Sequence, residues 1–196
     1  MQGPFVMKIG GSLIHEVPGI TRALQASSTP ALIIPGGGPF ADIVRTLHAP
    51  DNESHWMAVL GMEQYGWYIA SFGISTSPDL KVPEHPTIFL PYILMKQEDP
   101  LPHHWDITSD TIAAWAAYRL GLDLVVLKSV DGIMDGCTPI DHINQPVACG
   151  EVDPGFIRFV LDHHVRTLIM NGKKIEKFQA LLRGDQVEGT RIGTTF

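Results

Sequence analysis

Two short apolar runs, each ending in a cluster of glycines, constrain this chain more than any other feature. Phe5-Val6-Met7-Lys8-Ile9 runs into Gly10-Gly11-Ser12, and Ala31-Leu32-Ile33-Ile34-Pro35 runs into Gly36-Gly37-Gly38 after a helix-length gap. Apolar runs of strand length closed by glycine read as buried strands delivering tight loops. Such loops let backbone N–H groups approach an anion, and the following helix adds its positive N-terminus. Two of them, one carrying a lysine, suggest two anionic groups brought face to face, the arrangement a phosphoryl transfer between two phosphorylated molecules needs.

The chain is 196 residues long with 44% hydrophobic and 18% charged residues, which fits one domain with a sizeable core. Its net charge of −7 and lack of a basic stripe speak against nucleic acid as a partner. No leader-like start and no apolar stretch of membrane-spanning length are evident, so no membrane partner and a cytoplasmic location are expected. Cys137 and Cys149 lack metal-type spacing and read as plain thiols. The pairs His103-His104 and His163-His164 do not form an HExxH or a Cys/His array, so no dedicated metal site is expected.

Strand-like runs fall near 4–9, 31–35, 86–90, 123–128 and 165–170, with helix-like segments at 16–27, 39–48, 53–73, 109–121, 154–163 and 174–183. Their alternation implies βαβ units and a mostly parallel sheet covered on both faces. Open sheets of this kind bind ligands at the carboxyl ends of their strands, where both glycine loops sit. Segment 76–104 reads as a proline-rich loop interrupted by one strand, with the composition of a lid. Segment 134–153 reads as irregular, and Gly189 to Gly193 as a terminal strand.

Lys8 leaves its charge at a strand end beside Gly10, Gly11 and Ser12, although the loop is neither GxGxxG nor GxxxxGK[ST]. Pro39 after Gly36-Gly37-Gly38 suits a first helical turn, and three successive glycines suggest close approach of backbone to ligand. In Thr108-Ser109-Asp110, Thr108 or Ser109 would serve as an N-cap, and Asp110 either favours the helix dipole or orients a lysine. Lys128 ends another strand, and Asp131-Gly132-Ile133 and Asn171-Gly172-Lys173 follow two strands as turns.

Taken in order, Lys8 to Ser12, Ile34 to Gly38, Thr108 to Asp110, Val130 to Ile133, Asn171-Gly172 and Gly189-Thr190 resemble the motifs of the amino acid kinase family. The resemblance implies a three-layer αβα sandwich, with the acceptor toward the N-terminal half and ATP toward the C-terminal half. It implies ATP with Mg²⁺, a small phosphorylated substrate and a homo-oligomer. Lys8, Asp110 and Lys128 would be catalytic. Lys8, Gly10, Gly11, Ser12, Asp131, Gly132, Ile133, Asn171, Gly172 and Lys173 would bind ATP. Gly36, Gly37 and Gly38 would hold the acceptor.

Three departures stand out. The Gly-Gly-Met loop that brings many members a second catalytic lysine is missing, so Lys128, Lys173 and Lys174 compete for that place. Lys128-Ser129 also stands where many relatives have Thr-Asp. Asp42 replaces the histidine that meets the acceptor phosphate in isopentenyl phosphate kinases. Within the family the resemblance implies an acceptor with an aminomethyl group on a furan ring; an acid at Asp42 suits such an ammonium, with Glu63 a second partner for it, or else serves the helix dipole. Other acceptors (isopentenyl phosphate, uridylate, a carboxylate) and a nucleotide-storage protein on the same fold are the alternatives.

Overall fold

Every residue of the first apolar run is buried, Lys8 included, and the run forms a strand in the middle of a sheet. The computed structural model describes residues 3–27, 29–136 and 138–193. Cys137 lies outside them, and Cys149 is a free thiol. In chain order the elements begin β1 (Phe5–Ile9), α1 (Val17–Ser27), β2 (Ala31–Pro35), α2 (Gly38–Thr46) and α3 (Asp51–Ala70). Next come β3 (Ser75–Ser77), β4 (Thr87–Phe89), α4 (Tyr92–Glu98), α5 (Ser109–Leu120) and β5 (Leu124–Lys128). The short strands β6 (Met134–Asp135), β7 (Thr138–Pro139) and β8 (His142–Ile143) follow. The chain continues through α6 (Phe156–Asp162), β9 (Thr167–Asn171), α7 (Ile175–Leu182) and β10 (Thr190–Ile192).

The main sheet has the order β3-β4-β2-β1-β5-β9-β10-β8, parallel throughout except where β10 runs against β9. From β1 the chain builds outward to β2 on one side and later to β5 on the other. That reversal leaves a crevice at the carboxyl end of β1. Because side chains alternate along a strand, the sheet has two apolar faces. Val6, Leu32, Val126 and Ile169 pack with α5 and α6, whereas Met7, Ile33, Leu127 and Met170 pack with α1 and α7. Helix α3 serves both, with Trp56, Val59 and Met62 in the first core and Tyr65 and Ile69 in the second. The expected sandwich with a mainly parallel sheet is what the chain forms.

The edge departs from expectation. Segment 76–104 contributes an extra strand, β3, and a helix, α4, where a loop with one strand was expected. Helix α4 starts after Pro91, and its first N–H, from Tyr92, donates to Glu63 Oε1 on α3 at 2.8 Å. A cap supplied from 29 positions away leaves no local sequence signal. Segment 134–153 holds the β6–β7 pair and β8, each two residues long.

The two glycine loops touch backbone to backbone. A Cβ on Gly11 would stand 2.3 Å from Gly38 Cα and 2.5 Å from Gly38 N. Gly11→Ala therefore forces the loops apart. We expect a cost of about 1–3 kcal/mol and a fall in Tm on the order of 5 °C, measured by thermal unfolding.

Candidate active site

Lys8 lies two residues after Val6 on β1, and Lys128 two after Val126 on β5, so both share the sheet face that α5 covers. The first turn of α5 presents Asp110 to them. Lys8 Nζ lies 2.7 Å from Asp110 Oδ1, close but not aligned as a hydrogen bond, while Lys128 Nζ donates to Oδ2 at 2.7 Å. Burial raises the pKa of Asp110, but the two ammonium groups overcome it and hold the carboxyl below its ordinary value. Burial lowers Lys8 to about 8, against the pull of Asp110 and with the help of neighbouring Lys128. One carboxylate thus positions two cations at the crevice. Of the three lysines that competed for the second place, Lys128 is the one brought to Asp110; Lys174 instead pairs with Asp131 at 2.5 Å.

Asp110 is itself held by a residue the sequence analysis missed. Asp153, buried ahead of α6, accepts from Thr108 N–H at 3.0 Å, Thr108 Oγ1 at 2.9 Å, Thr111 N–H at 3.0 Å and Thr111 Oγ1 at 2.5 Å. Its own N–H donates to Asp110 Oδ2 at 3.3 Å. Of the two expected N-cap residues Thr108 holds the position, but the capping bond is not its own. Asp153 does the capping across 42 positions. Asp153 has its pKa raised, by burial first and by the nearby charge of Asp110 second. In sequence, Asp153-Pro154-Gly155 reads only as a helix start.

Lys8, Asp110 and Lys128 lie on the wall of a cavity of about 530 Å³. Gly11, Ser12, Gly37, Gly38 and Asp42 line it as well, so this part of the expected set comes together. Ser12 Oγ meets Ser129 Oγ at 3.2 Å, bridging the loops after β1 and β5. Three expectations change. Gly10 N–H is spent on Leu127 O at 3.0 Å and Gly36 N–H on Ile9 O at 2.9 Å, so neither is left for an anion. Glu63 does not line the cavity, because its carboxylate is the cap of α4 described above. Of segment 76–104 only His104 reaches the cavity, because the rest builds the sheet edge and α4.

Asp42 reaches the cavity but pairs with Arg45 at 2.8 Å, and Arg45 in turn lies 4.7 Å from the centre of the Trp105 ring.

The nucleotide-side candidates form a separate group at the ends of β5 and β9, where Lys128 is level with Asn171. Asn171 Nδ2 donates to Asp131 Oδ1 at 3.0 Å, and Asn171 Oδ1 accepts Lys173 N–H at 3.0 Å. Contacts with Lys174 first, then Asn171, lower the pKa of Asp131. Gly172 is needed for packing, since a Cβ there would stand 2.5 Å from Leu13 Cδ1. Gly132 and Ile133 are fastened to β10: a Cβ on Gly132 would meet Thr190 Oγ1 at 2.4 Å, and Ile133 N–H donates to that oxygen at 2.8 Å.

The mostly parallel sheet and the order of its elements have counterparts among solved structures. UMP kinase from Ureaplasma parvum superposes with a TM-score of 0.74 at 17% identity, over 99% of this chain and 100% of that one. An isopentenyl phosphate kinase superposes with a TM-score of 0.63 at 16% identity, over 96% and 100%. The chain has the amino acid kinase fold. In sequence it is 29% identical, over 95% of its length and 96% of the other's, to [5-(aminomethyl)furan-3-yl]methyl phosphate kinase of Methanocaldococcus jannaschii. No family model matches the chain. These amino acid kinase-fold relatives are all kinases, which supports a phosphotransferase. Among the described residues, no helix is long and apolar enough to cross a membrane.

Removing the Asp153 carboxylate strands buried donors at the start of α5. Asp153→Ala is expected to destabilise the protein by about 2–4 kcal/mol, seen as a lowered midpoint in urea unfolding.

Proposed function

We propose that this protein is an ATP-dependent kinase that converts a small phosphomonoester to its diphosphate. The acceptor we propose is [5-(aminomethyl)furan-3-yl]methyl phosphate, the substrate in the name of its sequence relative, and the setting methanofuran biosynthesis in the cytoplasm. The observation that carries this reading is the convergence of Lys8 and Lys128 on Asp110 beside the glycine loops.

In the reaction an ionised oxygen of the acceptor phosphate forms a bond to the γ-phosphorus of ATP. The bond from that phosphorus to the β,γ-bridging oxygen breaks, and ADP leaves. The nucleophile is already an anion, so no general base is needed. Catalysis is positioning and charge neutralisation. Lys8 and Lys128 spread their charge over the transferring group, and Asp110 fixes both in place. Gly11, Gly37 and Gly38 allow the two phosphates close to the backbone. Asp131, Asn171 and Lys173 stand where the nucleotide would extend past β5 and β9.

Mg²⁺ would be carried by the triphosphate. Asp110 is taken by two lysines and Asp153 by the start of α5, so neither is left as a metal ligand. We further propose a homo-oligomer, since Ile43 on α2, Leu47 just after it, and Leu60 and Trp67 on α3 are exposed large apolar side chains. Light scattering of the purified protein reads that state directly.

With Mg-ATP and a panel of phosphomonoesters, ADP release should depend on the aminomethylfuran phosphate. Turnover with another phosphate alone replaces the acceptor, and ATP binding without turnover on any acceptor replaces the activity by nucleotide storage. Lys8→Ala should keep ATP binding and lower kcat by about 10²–10³.

The depressed pKa of Lys8 sets a pH limb. The ammonium form is present below about 8 and is lost as pH rises through it. The kcat/KM profile, which reports the free enzyme, should therefore fall above about pH 8. Lys8→Arg should move that limb upward, because a guanidinium stays charged there.

A further inference from the structure

The far end of the same cavity holds polar groups that the phosphate chemistry does not use. Helix α3 runs along the cavity wall. Near its C-terminal half, Tyr65 Oη donates to Gly10 O at 3.4 Å, and a Cβ on Gly38 would meet the same ring at 3.6 Å. His55 lies ten residues earlier, about 15 Å along the axis at the rise of an α-helix, and Asp51 a further turn away. Both line the cavity, and at a spacing of four they lie on one face of the helix. Ala58, Val59 and Met62 form the apolar wall between them and the glycine loops.

Three carboxylates line this cavity, and two are engaged. Asp110 holds Lys8 and Lys128, and Asp42 holds Arg45. Asp51 has no cationic partner among the described residues. An acid in the first turn of a helix is favoured by the dipole alone, so Asp51 by itself indicates no ligand. His55 does. It is only 8% exposed, and its Nε2 is buried without a hydrogen-bond partner. Its ring is stacked on His103 at 4.2 Å and set edge-on to Trp56 at 4.8 Å, so it is fixed in place. His103 is anchored in turn by Asn52 at 2.9 Å and Asp99 at 2.6 Å.

An orphaned ring nitrogen this deeply buried costs free energy unless something supplies its partner. Burial first, and then the neighbouring His103, lower the pKa of His55 to about 4. The imidazole is therefore neutral at pH 7, and in its Nδ1–H tautomer Nε2 is an acceptor.

We propose that Asp51 and His55 form the amine end of the acceptor site, Asp51 countering the charge of a primary ammonium and His55 Nε2 accepting one of its N–H bonds. The inference deepens the function proposed above and rests on it. It assigns the ammonium to Asp51 and His55 in place of Asp42 and Glu63. The apolar wall between these residues and the glycine loops then faces the flat ring that joins amine to phosphate. Selection for the amine comes from leaving the buried His55 acceptor unsatisfied when an analogue lacks it, while the exposed Asp51 adds only a solvent-screened attraction.

The test compares kcat/KM for [5-(aminomethyl)furan-3-yl]methyl phosphate with that for the 5-methyl analogue, in the wild type, Asp51→Asn and His55→Phe. The phenyl ring preserves the stack on His103 while removing Nε2, and Asp51→Asn keeps shape while removing charge. The wild type should prefer the amine; His55→Phe should cut the ratio by about 10- to 100-fold, and Asp51→Asn, at an exposed position, by about 2- to 5-fold. A general loss of packing would lower both rates and leave the ratio unchanged. A preference that survives in both variants overturns this assignment and leaves the kinase reading intact. A wild type with no preference between the two acceptors overturns the amine end. A wild type that turns over neither acceptor overturns the proposed activity and the amine end with it.

Discussion

Asp110 between one buried and one partly buried ammonium group is the contact on which the rest of the site depends. Each of its oxygens faces one lysine at 2.7 Å, and the two lysines come from neighbouring strands of one sheet. Burying three charges is costly, and the arrangement offsets that cost only while all three remain in register. Because one carboxylate is divided between two cations, each lysine keeps part of its charge available to the cavity. That residual charge is the electrostatic reason an anionic, polyphosphate-like group suits this place. It also explains why the Lys8 ammonium has its pKa lowered although it stands against a carboxylate, since burial outweighs a share of one counter-charge.

Holding Asp110 is a task for the whole C-terminal half. The first turn of α5 is tied to Asp153, whose own backbone N–H turns back to Asp110. Asp153 sits just ahead of α6, which packs on the same sheet face as α5. The site is thus supported from two directions, by strands that carry the cations and by a carboxylate that fixes the helix carrying the anion. The close approach of Gly11 and Gly38 does the equivalent work on the backbone side, bringing the loops after β1 and β2 together without side chains between them.

The cavity changes character along α3. At the glycine end it is a place of cations and backbone, and at the N-terminal end of α3 it carries an unpaired carboxylate and a neutral, fixed imidazole. The acceptor proposed above, anionic at one end and cationic at the other, matches this gradient. The contact between Arg45 and Trp105 on the cavity wall links α2 to the segment ahead of α5.

Much of this was legible in the residues themselves. The continuous apolar runs of β1 and β5, the glycine clusters and the alternation of strands with helices follow from local chemistry, and they were enough for a mostly parallel sheet covered on both faces and for Lys8 at the end of its first strand. The three-layer sandwich and the pairing of Lys8 with Asp110 were implied by the family resemblance. What tertiary structure decided depends on partners distant in the chain. Lys128 is singled out from Lys173 and Lys174 only because β5 lies beside β1. Gly10 and Gly36 lose their N–H groups to neighbouring backbone carbonyls. Glu63 becomes the cap of a helix that begins 29 positions later, and Asp153 the cap of one that begins more than 40 earlier. A sequence states which groups can donate, accept or carry charge. Which of them are already satisfied, and which remain free for a ligand, is fixed only when the fold brings distant backbone and side chains within hydrogen-bonding distance.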